Sequence, residues 1–197
     1  MAFSVPGDIR PFTQKGLKIR WTQPTLGINY GNISQEPTFA AGASTITVIP
    51  NDDYGVANEA ITDFWISYGN PPDFPASFHY SPTVSGFGVG QLPTNTVNEF
   101  VISDKWCSVS VRQATQGTSN NVAFTVTTPI VSQTRTNAVW GVTWWQAFDN
   151  GAELSPPGRA FIGSASSTIT LHSTTASGAW TNVNGKAVSF TNLAYPI

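Results

Sequence analysis

Side chains along this chain change character every second residue and almost nowhere every third or fourth. Leu17, Ile19 and Trp21 alternate with Lys18, Arg20 and Thr22, and Ile46 and Val48 alternate with Thr45 and Thr47. Period two is the signature of a strand, whose successive side chains point to opposite faces; a helix would repeat at 3.6. The same pattern recurs around Phe64, Ile66 and Tyr68, then at 97–102, 107–113, 122–128, 138–148, 167–172 and 187–191. Asn58 to Ile66 is the best helical stretch, but it runs into aromatic and β-branched residues and reads mostly as strand.

Turn-forming clusters separate these runs: Pro50-Asn51-Asp52-Asp53, Asn70-Pro71-Pro72-Asp73, Gly117 to Asn121, Pro156-Pro157-Gly158 and Asn182-Val183-Asn184-Gly185. About nine short strands punctuated in this way predict an all-β fold, an antiparallel sandwich or jelly roll with long loops. Residues 1–16 read as an extended N-terminal arm and residues 17–197 as a single β-sandwich domain. The ending, Ala194 to Ile197, is apolar enough to dock against something. Two stretches, 70–96 and 149–166, read as loops. Phe74, Phe78, His79 and Tyr80 in the first are more rings than a solvated loop needs, so it should pack on its own domain or on a neighbour.

A length of 197 residues suits one such domain. The single cysteine, Cys107, precludes an intrachain disulfide and a cysteine-built zinc site. It alternates in phase with Val109 and Val111, which predicts a buried thiol rather than a reactive one. No signal peptide is recognisable at the start and no apolar run is long enough to span a membrane, so synthesis in a cytoplasm without secretion is expected. Asn32-Ile33-Ser34 is then a chance sequon.

Charge is scarce: 10% of residues are ionic, against about 25% in an ordinary domain. Nine basic residues and a net charge of -2 argue against nucleic acid as a partner. Arg10, Lys15, Lys18 and Arg20 make only a modest local patch. Solubility rests instead on hydroxyls and amides, and a neutral polar surface is cheaper to desolvate in a contact than a charged one. That favours assembly.

Motifs for chemistry are lacking. There is no G-x-S-x-G elbow, and His79 and His172 sit in unrelated contexts that favour surface or loop roles. No His spacing suits a metal. Asn51-Asp52-Asp53 with Glu59 or Asp63 could offer oxygens to calcium, but the spacing is not that of an EF-hand and such runs are ordinary turns. Gly86-x-Gly88-x-Gly90 lacks the spacing and flanking elements of a nucleotide loop. The reading is therefore a non-enzyme without cofactor or metal. A glycosidase-like pair of carboxylates brought together from distant strands stays open as a further alternative.

The informative residues are aromatic. With Phe64, Ile66 and Tyr68 facing inward, Trp65 is left outside. In 138–148 the better apolar face carries Trp140 and Trp144, leaving Trp145 on the half-polar side. Trp180 lies in a turn-rich stretch. Trp65, Tyr80, Trp145 and Trp180 are thus the candidate partner- or glycan-binding residues, since an exposed ring can anchor a subunit interface or stack on a sugar. Both uses stay open here.

In overall character, with a single cysteine, abundant Thr, Ser, Asn and rings, and a short arm at each end of a β-sandwich, the chain resembles bacteriophage virion structural proteins of the tail, fibre or capsid-decoration type. That resemblance implies residence in a virion, a homo-oligomer (a trimer among the states it allows), and contacts with other virion proteins. A carbohydrate-binding, lectin-like module or fibre receptor-binding domain is the alternative.

Overall fold

The computed structural model describes residues 1–55, 57–70, 73–87, 92–119, 121–136, 139–143, 146–155, 158–174 and 176–197. Strands dominate, and the one helical element among the described residues is a 3-10 turn at Arg10–Phe12. Among the described residues, the strand pairings whose register is defined are antiparallel. The all-β antiparallel class read from the alternation holds. No described helix is long and apolar enough to cross a membrane.

The described residues gather into two compact units. The first comprises Met1–His79, Val101–Trp106 and Ile197. Its strands are β1 (Ala2–Pro6), β2 (Lys18–Gln23), β3 (Gly27–Ile33), β4 (Thr38–Ala40), β5 (Ala43–Pro50), β6 (Thr62–Ser67) and β7 (Phe78–His79). Five of them lie in the order β1-β5-β3-β2-β6, with β4 also on β5. Period two does its work on β2, where Ile19 and Trp21 are buried and Lys18 and Arg20 are not. Phe3, Leu17, Ile19, Trp21, Ile33, Ile46 and Val48 form the core, with Phe64 and Ile66 against it. Phe3 and Phe64 belong to the first and last strands of that order, roughly 19 Å apart in a flat sheet. Their rings nevertheless meet edge-on at 5.7 Å, so the sheet curls around its core.

The residues read as an arm are extended at β1, which pairs with β5 from Ala2↔Thr47 to Pro6↔Ala43 and contributes Phe3 to the core. The sharp return from β4 to β5 uses Ala41 and Gly42, both left-handed (φ 52° and 81°), as a two-residue primed turn requires.

Gly31 of β3 has no room for a side chain. A Cβ there would lie 2.6 Å from Val48 Cγ1, 2.8 Å from the Ile49 carbonyl and 3.3 Å from the Trp21 ring. Because one obstacle is backbone, Gly31→Ala should destabilise this unit by about 2 kcal/mol. Urea unfolding followed by tryptophan emission checks this, and an unchanged midpoint would refute the packing described.

The second unit comprises Tyr80–Phe100 and Cys107–Pro196. Its strands are β8 (Val84–Ser85), β9 (Asn95–Ser103), β10 (Trp106–Gln113), β11 (Phe124–Thr127), β12 (Val139–Thr143), β13 (Gln146–Asp149), β14 (Ala152–Glu153), β15 (Arg159–Gly163), β16 (Thr168–His172) and β17 (Ala187–Pro196). Val101–Trp106, at the turn between β9 and β10, is counted with the first unit. One sheet runs β14-β13-β17-β10-β9 and the other β12-β15-β16-β11-β8. β17 touches β12 and β15 of the facing sheet, giving a sandwich-like core of Cys107, Val109, Val111 and Phe190 with Ile162, Ile169, Leu171 and Val126. Cys107 is buried, in phase with its valines.

Several strands depart from what the sequence predicts, β7 and β8 within 70–96 among them. The run 138–148 yields two strands, β12 and β13, rather than one. The stretch 149–166, read as a loop, holds β14 and β15. Asn150-Gly151, both left-handed (φ 54° and 74°), turns β13 into β14 as a tight hairpin.

Candidate functional site

Of the four residues singled out, Trp65 is presented to solvent, with 59% of its surface exposed. Trp145 lies outside the described residues. Outward presentation does not hold for the other two. Trp180 is 2% exposed, its indole N–H donates to the Leu171 carbonyl at 2.8 Å, and its ring lies 5.5 Å from that of Phe124. Its turn-rich neighbourhood does not face outward, because Ser173 folds the segment back. The Ser173 N–H donates to the Gly178 carbonyl and its hydroxyl to the Ala179 carbonyl. Tyr80 is 7% exposed, packed edge-on against Phe100 at 5.9 Å. Neither ring offers a face to a glycan or a partner.

The rings of 70–96 pack within the chain, as expected for that stretch. Phe74 meets Tyr30 at 5.7 Å and Phe78 at 5.2 Å. Gly86 approaches the Ala123 backbone too closely for any Cβ, while Gly88 and Gly90 lie outside the described residues.

At the turn considered for calcium, Asn51 Oδ1 accepts from the His79 N–H, and Asp53 meets His79 Nδ1 at 2.8 Å. Asp52 and Asp53 point to solvent, and among the described residues no three His, Cys, Asp or Glu side chains converge as a metal site would. His172 is engaged elsewhere, stacked face to face on Phe161 at 5.0 Å.

Two features of the first unit offer themselves to a partner. The first is the free edge of β1. Met1, Phe3, Val5 and Gly7 direct their backbone groups at β5, as the Val48 N–H to Met1 carbonyl and Gly7 N–H to Gly42 carbonyl bonds fix. Ala2 and Ser4 therefore aim theirs outward, and Pro6 has no N–H to offer. A groove of about 460 Å³ runs beside this edge, between Met1–Ser4 and Ala57–Ile61.

The second is the outer face of β2. Register places Arg20 between Tyr30 and Trp65, and Lys18 between Asn32 and Ser67. The Arg20 guanidinium lies 5.6 Å from the Trp65 ring centroid, and Lys18 Nζ lies 5.3 Å from that of Phe74. Burial pushes the Lys18 ammonium below its usual range, and Asp104 pulls it partly back. A cleft of about 130 Å³ opens beside Lys18, Phe74 and Ser103. Along the sequence these two cations stand out only as members of a local basic patch. Their alignment with Trp65 depends on a register shift in β6 between the partners of Arg20 and Thr22, where Asp63 is left-handed (φ 47°).

No family model, curated protein or solved structure matches the chain.

Proposed function

We propose that this chain is a non-enzymatic assembly protein of a virus or phage particle, a capsid-decoration, tail or fibre component that works through contacts with copies of itself and with other particle proteins. The observation that carries this reading is the open edge of β1 beside a groove. An unpaired strand edge templates the addition of another strand, and soluble proteins normally blunt such edges with charge or cover. Among the described residues of β1, Pro6 interrupts it.

A second copy of the same strand fits the edge. Antiparallel pairing about a two-fold axis at Phe3 sets Ala2 against the partner subunit's Ser4, and the reverse, closing four backbone hydrogen bonds. A stable interface buries on the order of 1,600 Å² in all. Phe12, Leu26, Ile28 and Phe39 are exposed on this unit and can supply apolar area, and the ion-poor surface keeps desolvation cheap.

Light scattering at micromolar concentration tests the idea. The natural chain should run as a dimer or a larger oligomer. Ser4→Pro removes an outward N–H while leaving every β1–β5 bond in place, so it should give a folded monomer. A monomeric natural chain, or an oligomer indifferent to Ser4→Pro, would overturn the proposal. Carbohydrate binding is the second reading, favoured by the exposed Trp65 beside Arg20.

A further inference from the structure

We infer that the outer face of β2 and β6 is a binding site for a carboxylate-bearing sugar, stacked on the Trp65 indole beside the Arg20 guanidinium, with Lys18 as a second cation. Three observations converge on it. Trp65 is the large aromatic of β6 left in solvent, and an exposed indole face suits the apolar C–H face of a sugar ring. Arg20, next to it, makes no hydrogen bond or ion pair with any described residue, and its Nε is shielded from solvent without an acceptor. With Nε shielded, the two Nη groups are the donors left to a ligand, and a carboxylate is the group that such a pair matches end-on. The third observation is the cleft beside Lys18, on the same face two residues along the strand.

The spacing selects the size of the ligand. Positions two apart on a strand lie roughly 6.6 Å from each other, about the length of one sugar residue. One acidic monosaccharide stacked on Trp65 would thus place its carboxylate at Arg20, and the next residue of the chain would reach Lys18 and its cleft. The acids nearby leave room for this. Asp104 acts on Lys18, and Asp63 stands at the irregularity in β6, but neither bonds Arg20. Nucleic acid is disfavoured because two cations neutralise too few phosphates in a chain of net charge -2.

The site does not involve the β1 edge, so its success or failure is separate from that of the assembly reading. The test titrates the whole chain, by calorimetry and tryptophan emission, with trigalacturonate and with a trisaccharide ending in N-acetylneuraminic acid. The methyl ester of each serves as the neutral control. At least one acid should bind at millimolar concentration or tighter, and its ester at least about tenfold more weakly, as the loss of a charge-assisted pair requires. Trp65→Ala should abolish binding. Arg20→Lys, which keeps the charge and the fold but loses the fork, should weaken it by about tenfold or more. Thermal melts of both variants establish that they remain folded. The proposal is overturned if neither acid binds at 10-fold above millimolar, if acid and ester bind alike, if Arg20→Lys binds as the natural chain does, or if inorganic phosphate or polyuridylate displaces the sugar at equal concentration.

Discussion

Replacing Trp180 by alanine should cost the second unit about 3–5 kcal/mol, whereas Trp65→Ala should shift the first by no more than about 0.5 kcal/mol. In the sequence both tryptophans read as outward, Trp65 by its phase in a strand and Trp180 by its turn-rich setting. In the structure they differ in every physical respect that matters. Truncating Trp180 empties space beside Phe124 and strips the Leu171 carbonyl of its 2.8 Å donor, so a cavity and an orphaned buried acceptor arise together. Trp65 is already 59% exposed, so truncating it opens no enclosed cavity, and the exposed cation–π pair that it gives up with Arg20 contributes about 0.5 kcal/mol. Denaturant titration of the two variants separates them. Equal losses would mean that Trp65 is a core residue, and the ligand site drawn on it would go as well.

How far such distinctions can be read beforehand depends on what local pattern encodes. On β2 and β10 strict alternation announces strand, register and buried face together, because one face of each meets a core and the other does not. β3 escapes notice since its sequence, Gly-Ile-Asn-Tyr-Gly-Asn-Ile, is built of turn formers. It is a strand because Gly31 lets the Trp21 ring and Val48 close over it, a tertiary reason invisible along the chain. β15 lies in a stretch preceded by two prolines, where punctuation masks five residues that alternate properly. The candidate site is harder still. Phase placed Trp65 outside, and the structure agrees, but Tyr68, read as inward by the same phase, lies past the end of β6 at Ser67 and is 70% exposed. The neighbour of Trp65, Arg20, is 45 positions away and is brought alongside by a pairing that slips at Asp63, so neither spacing nor composition carries that alignment. Trp180 misleads for the converse reason: serines and a glycine suggest an outward turn, but their hydroxyl and amide groups bond back and tuck the ring in.

Alkaline titration should destabilise the second unit steeply above pH 10, through two tyrosines whose phenols cannot ionise where they are buried. Burial is the main cause for both Tyr80 and Tyr195, with the neighbouring Cys107 adding to it, and both are held well above the usual tyrosine range. In the unfolded chain each ionises near 10. Below that pH folded and unfolded states hold the same protons and stability is indifferent to these groups. Above it the unfolded state releases protons that the folded state keeps, so stability falls by about 1.4 kcal/mol per pH unit for each tyrosine. Phenylalanine variants resolve the pair, since each should remove its own share of the slope. Their effects at neutral pH should differ. The Tyr80 hydroxyl is buried with no hydrogen-bond partner among the described residues, so Tyr80→Phe should be neutral or slightly stabilising. The Tyr195 hydroxyl donates to the Ile130 carbonyl at 2.9 Å, and Tyr195→Phe should cost about 1–3 kcal/mol by leaving that oxygen bare. Urea midpoints at half-unit steps from pH 8 to about 11.5 supply both readings, and a double phenylalanine variant that unfolds as steeply as the natural chain would show that other groups govern the alkaline limb.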